Sequence, residues 1–149
     1  MTGKRNMLLF YFSISLAILS SALYHFSQKG TPAGVNPAVA IMVTYVVAFF
    51  LTLILFIFLP TKIGFLAEVR QLNWASYLLA FSIVGLEIGF LLVYRAGWNL
   101  GIAAVLVNVA ASLLLVPIAL LVFKQSLSPV NILGILVCLA GLIMLNWKR

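Results

Sequence analysis

Residues 82–97 run SIVGLEIGFLLVYRAG, and Glu87 is the one acid in an uncharged stretch extending from Gln71 to Tyr94. A helix over residues 74–94 has about the 20 apolar residues needed to cross a hydrocarbon core. Glu87 then lies about 4.5 Å from its midpoint at 1.5 Å per residue, so its carboxyl cannot reach the headgroups without distorting helix or bilayer. A carboxylate left in hydrocarbon costs at least a few kcal/mol. Such a group is buried inside a bundle, keeps its proton, or does both. The chemistry this permits is exchange, with a proton held in one state and a cationic group attracted in another.

Helical spacing places Ala80, Ile83, Val84, Leu91 and Tyr94 around Glu87, while Gly85 and Gly89 form a small-residue pair on the opposite face. One surface offers a carboxyl and a tyrosine, and the other offers a groove that lets a second helix approach. Arg95 is about 12 Å further along the axis and is expected to be an interfacial anchor. Counting depth from each run, Asn108 comes to nearly the level of Glu87, with Ser20 and Ser21, Thr44 and Tyr45, and Gly141 close to it. Glu87, Tyr94, Asn108, Tyr45 and Ser21 are therefore the candidate substrate or proton-binding residues. The companions also have a structural reading: membrane hydroxyls satisfy the carbonyl one turn back, and Asn108 serves as glue beside Ala104, Ala111 and Ser112.

Pro117 removes a backbone donor inside an apolar run and loosens the helix there, as a hinge or as a simple packing feature. Trp74, Trp98 and Trp147 fall at run ends, where an aromatic belt belongs. Cys138 has no partner cysteine and is expected as a small buried hydrophobe. The lone His25 is expected at headgroup level. The sequence has no phosphate-binding glycine loop, no His and carboxylate metal cluster and no nucleophile paired with a base. Neither an enzyme nor a cofactor or metal is expected.

The elements that must position these residues follow from composition. Hydrophobic residues make up 65% and charged residues 7% of the 149, and mean hydropathy is +1.25. An ordinary soluble domain is about half apolar and about a quarter charged. Five apolar runs emerge, at 7–26, 37–59, 74–94, 102–123 and 130–147, within a single transmembrane domain spanning 1–149. The first also resembles a secretory signal, with Lys4 and Arg5 before it and SSA near its end, but its apolar stretch is longer than a signal's. Between the second and third runs, residues 62–72 predict a short amphipathic helix in the interface, with Lys62, Glu68 and Arg70 facing water.

The net charge is +7, and basic residues sit singly between apolar runs, which favours anionic lipid headgroups over nucleic acid as partner. Five spans place Lys4, Arg5, Lys62, Arg70 and Lys124 on one side of the membrane and Lys29, Arg95, Lys148 and Arg149 on the other. This balance instructs neither orientation strongly, so the chain inserts both ways or a partner fixes its topology.

Residues 94–145 resemble the end of an EamA-type repeat of the drug/metabolite transporter superfamily. The likeness lies in Tyr94 and Ala96 before an Ala-rich helix from Ala103 to Ala111, Pro117 late in that helix, Leu127 and Ser128 ending a loop, and Gly134 and Gly141 a heptad apart. Gln125 stands where many members carry a glutamate, which weakens any contact that acid provides. Glu87 is outside this pattern. It is similar to the membrane carboxyl of the small multidrug resistance proteins, although theirs is on the first helix.

The resemblance implies a bundle of five transmembrane helices, equivalent to one inverted-repeat half of a ten-helix transporter, in a bacterial or archaeal inner membrane. Two copies in opposite senses would complete it, in keeping with the balanced charges. The expected protein is thus an all-α, multi-pass membrane transporter that acts as an antiparallel homodimer with dual topology. It would export a small-molecule metabolite or drug by alternating access with proton coupling. Glu87 would carry the exchange, with Pro117, Gly85, Gly89, Gly134 and Gly141 serving hinge or packing roles. A scaffolding subunit, half of a heterodimer and a flippase for lipid-linked sugars remain open as alternatives.

Overall fold

A computed structural model describes residues 2–59 and 61–147. Of the charges weighed above for orientation, Lys148 and Arg149 lie outside these residues, as do the side chains of Lys4 and Arg5. Among the described residues all regular structure is helical: α1 (Thr2–Gly30), α2 (Pro37–Phe58), α3 (Phe65–Val69), α4 (Trp74–Arg95), α5 (Leu100–Leu121) and α6 (Pro129–Asn146). Four of them, over Met7–Gly30, α2, α4 and α5, are long and apolar enough to cross a membrane, and Pro129–Leu145 forms a shorter apolar helix. This is the make-up of a multi-pass membrane protein.

The helix starts repeat one device. Asn36, Asn73 and Asn99 each precede a helix and accept a bond from a backbone N–H in its first turn, from Ala38 at 2.9 Å, Ala75 at 3.0 Å and Gly101 at 3.1 Å. Ser128 does the same for Asn131 at 3.2 Å. Pro37 and Pro129 occupy first-turn positions, where the missing N–H costs nothing. α1 runs past the expected end at residue 26 because FSQK contains no breaker before Gly30. α3 is much shorter than the amphipathic helix predicted over 62–72. Gly64 at φ +91° starts it, and the residues after Arg70 turn toward the Asn73 cap.

The chain divides into two compact units, 1–96 and 97–149. In the first, α4 packs against both α1 and α2. Its buried residues are His25, Ile41, Phe90, Leu91 and Tyr94, which come from the last two turns of α1, the first two of α2 and the second half of α4. α4 thus bridges α1 and α2 near the 31–36 turn that joins them. Elsewhere Leu8, Phe12, Leu19, Phe50 and Leu79 are exposed, as lipid-facing side chains are. In the second unit α5 packs against α6. Cys138, expected to be buried, is exposed there because only α5 packs on its helix within the unit.

Leu91 is 2% exposed and has no room to be shortened without leaving a void. Leu91→Ala is expected to destabilise the detergent-solubilised protein by about 2 kcal/mol or more, whereas Leu79→Ala at an exposed site should be nearly neutral. Chemical unfolding followed by circular dichroism checks both.

Candidate functional site

On α1, Tyr24, Ser27 and Gln28 recur at the three- and four-residue spacing that aligns side chains on one helix face, and Thr31 follows just past the helix end. With Ala40, Ile41 and Thr44 of α2 and Glu87 and Leu91 of α4, they line a partly open cavity of about 110 Å³. Glu87 is half-buried at its wall. The Gln28 side-chain amide donates a hydrogen bond to the Glu87 carboxyl, and the same nitrogen makes a longer contact, 3.5 Å, to the Tyr24 hydroxyl. The carboxyl that a lone helix could not satisfy is therefore met by an amide from a neighbouring helix.

Hydroxyl geometry sets what the cavity can bind. The Thr31 Oγ1 proton goes to the Ser27 carbonyl at 3.2 Å and the Thr44 Oγ1 proton to the Ala40 carbonyl at 3.0 Å. Each threonine has thus used its only proton on its own backbone. The lone pairs remain, so both oxygens serve the cavity as acceptors.

Beside the cavity is an aromatic cluster. The His25 ring meets Tyr24 at 5.1 Å and Phe90 at 4.6 Å between centroids, both edge-on, and Nδ1 lies 3.0 Å from the Tyr94 hydroxyl. Phe90 stacks on Tyr94 at 6.0 Å, and the Lys29 ammonium sits over the Tyr94 ring at 5.7 Å. His25, expected at headgroup level near the end of the first span, is 7% exposed and enclosed by rings. Next along α4, Arg95 is more than an anchor. Its Nη2 donates to the carbonyls of Pro32 at 3.2 Å and Val35 at 2.6 Å, holding the α1–α2 turn against the end of α4.

The other candidates are distributed unevenly. Glu87 and Tyr94 share the face of α4 that meets α1, Glu87 through Gln28 and Tyr94 through His25. Tyr45 is partly buried, and its hydroxyl is enclosed with no hydrogen-bond partner among the described residues. Ser21 is exposed and outside the cavity lining. Thr44, the companion noted at the same depth as Tyr45, does line the cavity.

Gly85 and Gly89 bear open space within their unit, since a Cβ added at either would meet nothing within 4 Å. Asn108 belongs to the second unit and is exposed on α5, where its backbone carbonyl accepts the Ser112 hydroxyl at 2.8 Å. Pro117 is interior to α5, which continues to Leu121. Gly134 lines an apolar cavity of about 420 Å³ between α5 and α6, and Gly141 is half-buried on α6.

The site residues not singled out in the sequence include Tyr24, Ser27, Gln28, Thr31 and Phe90. The repeat of Tyr24 and Gln28 along one helix face, continued by Thr31 just past its end, was the available signal. It was obscured by ending the first span at residue 26, ahead of the last polar turn.

Tyr94→Phe removes the partner of the His25 ring nitrogen and keeps the ring packing. A loss of about 1 kcal/mol is expected, with a shift of the His25 imidazole nitrogen resonance that Tyr77→Phe, at an exposed site, does not cause. Nitrogen-15 NMR of histidine-labelled protein reads the second effect directly.

Set against protein-family models, curated proteins and solved structures, the chain matches none.

Proposed function

We propose that this chain is a five-span, EamA-like transporter of the bacterial or archaeal inner membrane that exports a small metabolite or drug by alternating access. It would exchange cargo for protons at Glu87. The observation that carries this reading is the Gln28 amide on the Glu87 carboxyl at the wall of a polar cavity. A primary amide suits both states of a carboxyl: its NH2 donates to the carboxylate, and after the amide turns over, its carbonyl accepts from the acid. Glu87 can therefore gain or lose a proton without losing its partner.

The cavity volume defines the division of labour. At about 110 Å³ it holds a few waters or the charged end of a cargo, whereas whole drug-sized ligands occupy pockets of roughly 300–1,000 Å³. The body of the cargo lies outside the cavity, against apolar surface. Proton and cationic group then compete for one carboxyl, which is the condition for coupled exchange.

Support for an antiparallel homodimer comes from the five-to-four distribution of Lys and Arg. It also comes from the open face at Gly85 and Gly89, where small residues permit close helix approach. In a lipid environment such a face gains by contact with another helix through van der Waals packing.

Replacing Glu87 with glutamine leaves a neutral side chain of the same shape. In proteoliposomes with an imposed pH gradient, E87Q is expected to abolish proton-driven uptake of a cationic dye and to weaken dye binding, because the carboxylate that attracts the cation is gone. Undiminished coupling would reject the exchange scheme. A single cysteine introduced near the N-terminus tests the assembly in a Cys138→Ser background: antiparallel copies should cross-link poorly through it, and a parallel pair readily.

A further inference from the structure

The geometry points to a second ligand for the Glu87 cavity: an alkali cation of the sodium class, bound by oxygen and competing with the proton. This rests on reading the cavity as the coupling site and names an ion for it. The lining is rich in oxygen, from Glu87, Gln28, Thr31, Thr44, Tyr24 and Ser27. Hard cations take carboxylate, carbonyl, hydroxyl and water oxygens.

The hydrogen-bond pattern makes these oxygens available. Thr31 and Thr44 have directed their protons to backbone carbonyls. Gln28 has turned its nitrogen to Glu87 and Tyr24, which leaves its carbonyl oxygen unspent. The second Glu87 oxygen adds a charged acceptor. Thr31, Thr44, the Gln28 carbonyl and the Glu87 carboxylate thus face the cavity as acceptors, and the Tyr24 and Ser27 hydroxyls can also turn lone pairs to it, an arrangement suited to a cation.

Charge decides the valence. Glu87 is the only acid lining the cavity, and no group of three or more His, Cys, Asp or Glu able to hold a metal occurs among the described residues. A divalent ion would leave a net positive charge in a low-dielectric site, which is costly, whereas a monovalent ion with one carboxylate sums to zero. The volume admits such an ion together with one or two of its waters.

The test uses the purified full chain in detergent at constant ionic strength, with sodium chloride exchanged for choline chloride and thermal unfolding as the readout. Sodium should raise the unfolding temperature saturably, as a ligand selective for the folded state does. Thr44→Val preserves the side-chain shape and removes one acceptor. It should weaken the apparent sodium affinity by about tenfold, and Glu87→Gln should abolish the effect.

Equal behaviour in sodium and choline, or a full sodium effect in Glu87→Gln, would overturn the assignment. A saturable rise with methylammonium chloride and none with sodium would also overturn it, and would give the cavity to the amine end of a cargo. Loss of proton-driven uptake in Glu87→Gln without any sodium effect removes the ion and leaves the transport reading standing. Sodium binding with undiminished uptake does the reverse.

Discussion

The first unit is organised by the cost of placing a carboxyl on a helix built for hydrocarbon. Glu87 cannot be left to lipid, where desolvation of its charge has no compensation, and it is too far from the ends of α4 for its side chain to escape. The Gln28 amide meets this demand from α1. Because that contact lies close to the C-terminal end of α1, it draws the polar last turn of one helix against the middle of another. Tyr24, Thr31 and Thr44 are grouped around it, so a local electrostatic requirement sets where three apolar helices come together.

Around this pair the packing is tight only where polarity requires it. His25 and Tyr94 satisfy one another between the rings of Tyr24 and Phe90, and Arg95 ties the end of α4 to the carbonyls of the α1–α2 turn. Leu91 and Ile41 fill the space beside the cavity. Away from this region the same helices expose leucine, phenylalanine and valine. Lipid is as apolar as those side chains, so helix association there gains only by van der Waals contact, hydrogen bonding and the close approach that small residues allow. The open Gly85 and Gly89 face is the part of α4 suited to such contact.

The second unit follows a different pattern. Asn99 and Ser128 fix the starts of α5 and α6, and the turn before α5 uses Gly97 at φ +88°, a backbone conformation that side-chain-bearing residues rarely adopt. Pro117 has no N–H to give the Leu113 carbonyl, and Leu113 lines the apolar cavity between α5 and α6. Past the end of α5, Lys124 takes a positive φ of 50°, and Gln125, which stands where an acid was expected from the resemblance, donates its backbone N–H to the Ala119 carbonyl at 3.0 Å. The chain reversal here is made by backbone bonds.

The sequence by itself determined that the chain is helical and apolar enough to span a membrane, because hydropathy and run length are local properties that no tertiary contact needs to supply. It also marked Glu87, since one charge among more than twenty otherwise uncharged residues stands out. The starts of α2, α4, α5 and α6 are marked locally too, by the Asn or Ser before each and by Pro37 and Pro129 in the first turns of α2 and α6. Only the tertiary structure decided which groups answer Glu87. Depth counting brought Ser20 and Ser21 to its level, but the partner is Gln28, about two turns further along α1, and His25 proved to be enclosed by rings. Depth counting assumes aligned helices and says nothing about which faces meet, whereas the position of a hydrogen bond between helices depends on how those helices cross and rotate. That is settled by the burial of Leu91, Phe90 and Tyr94 together, a cooperative property that no single run of residues contains.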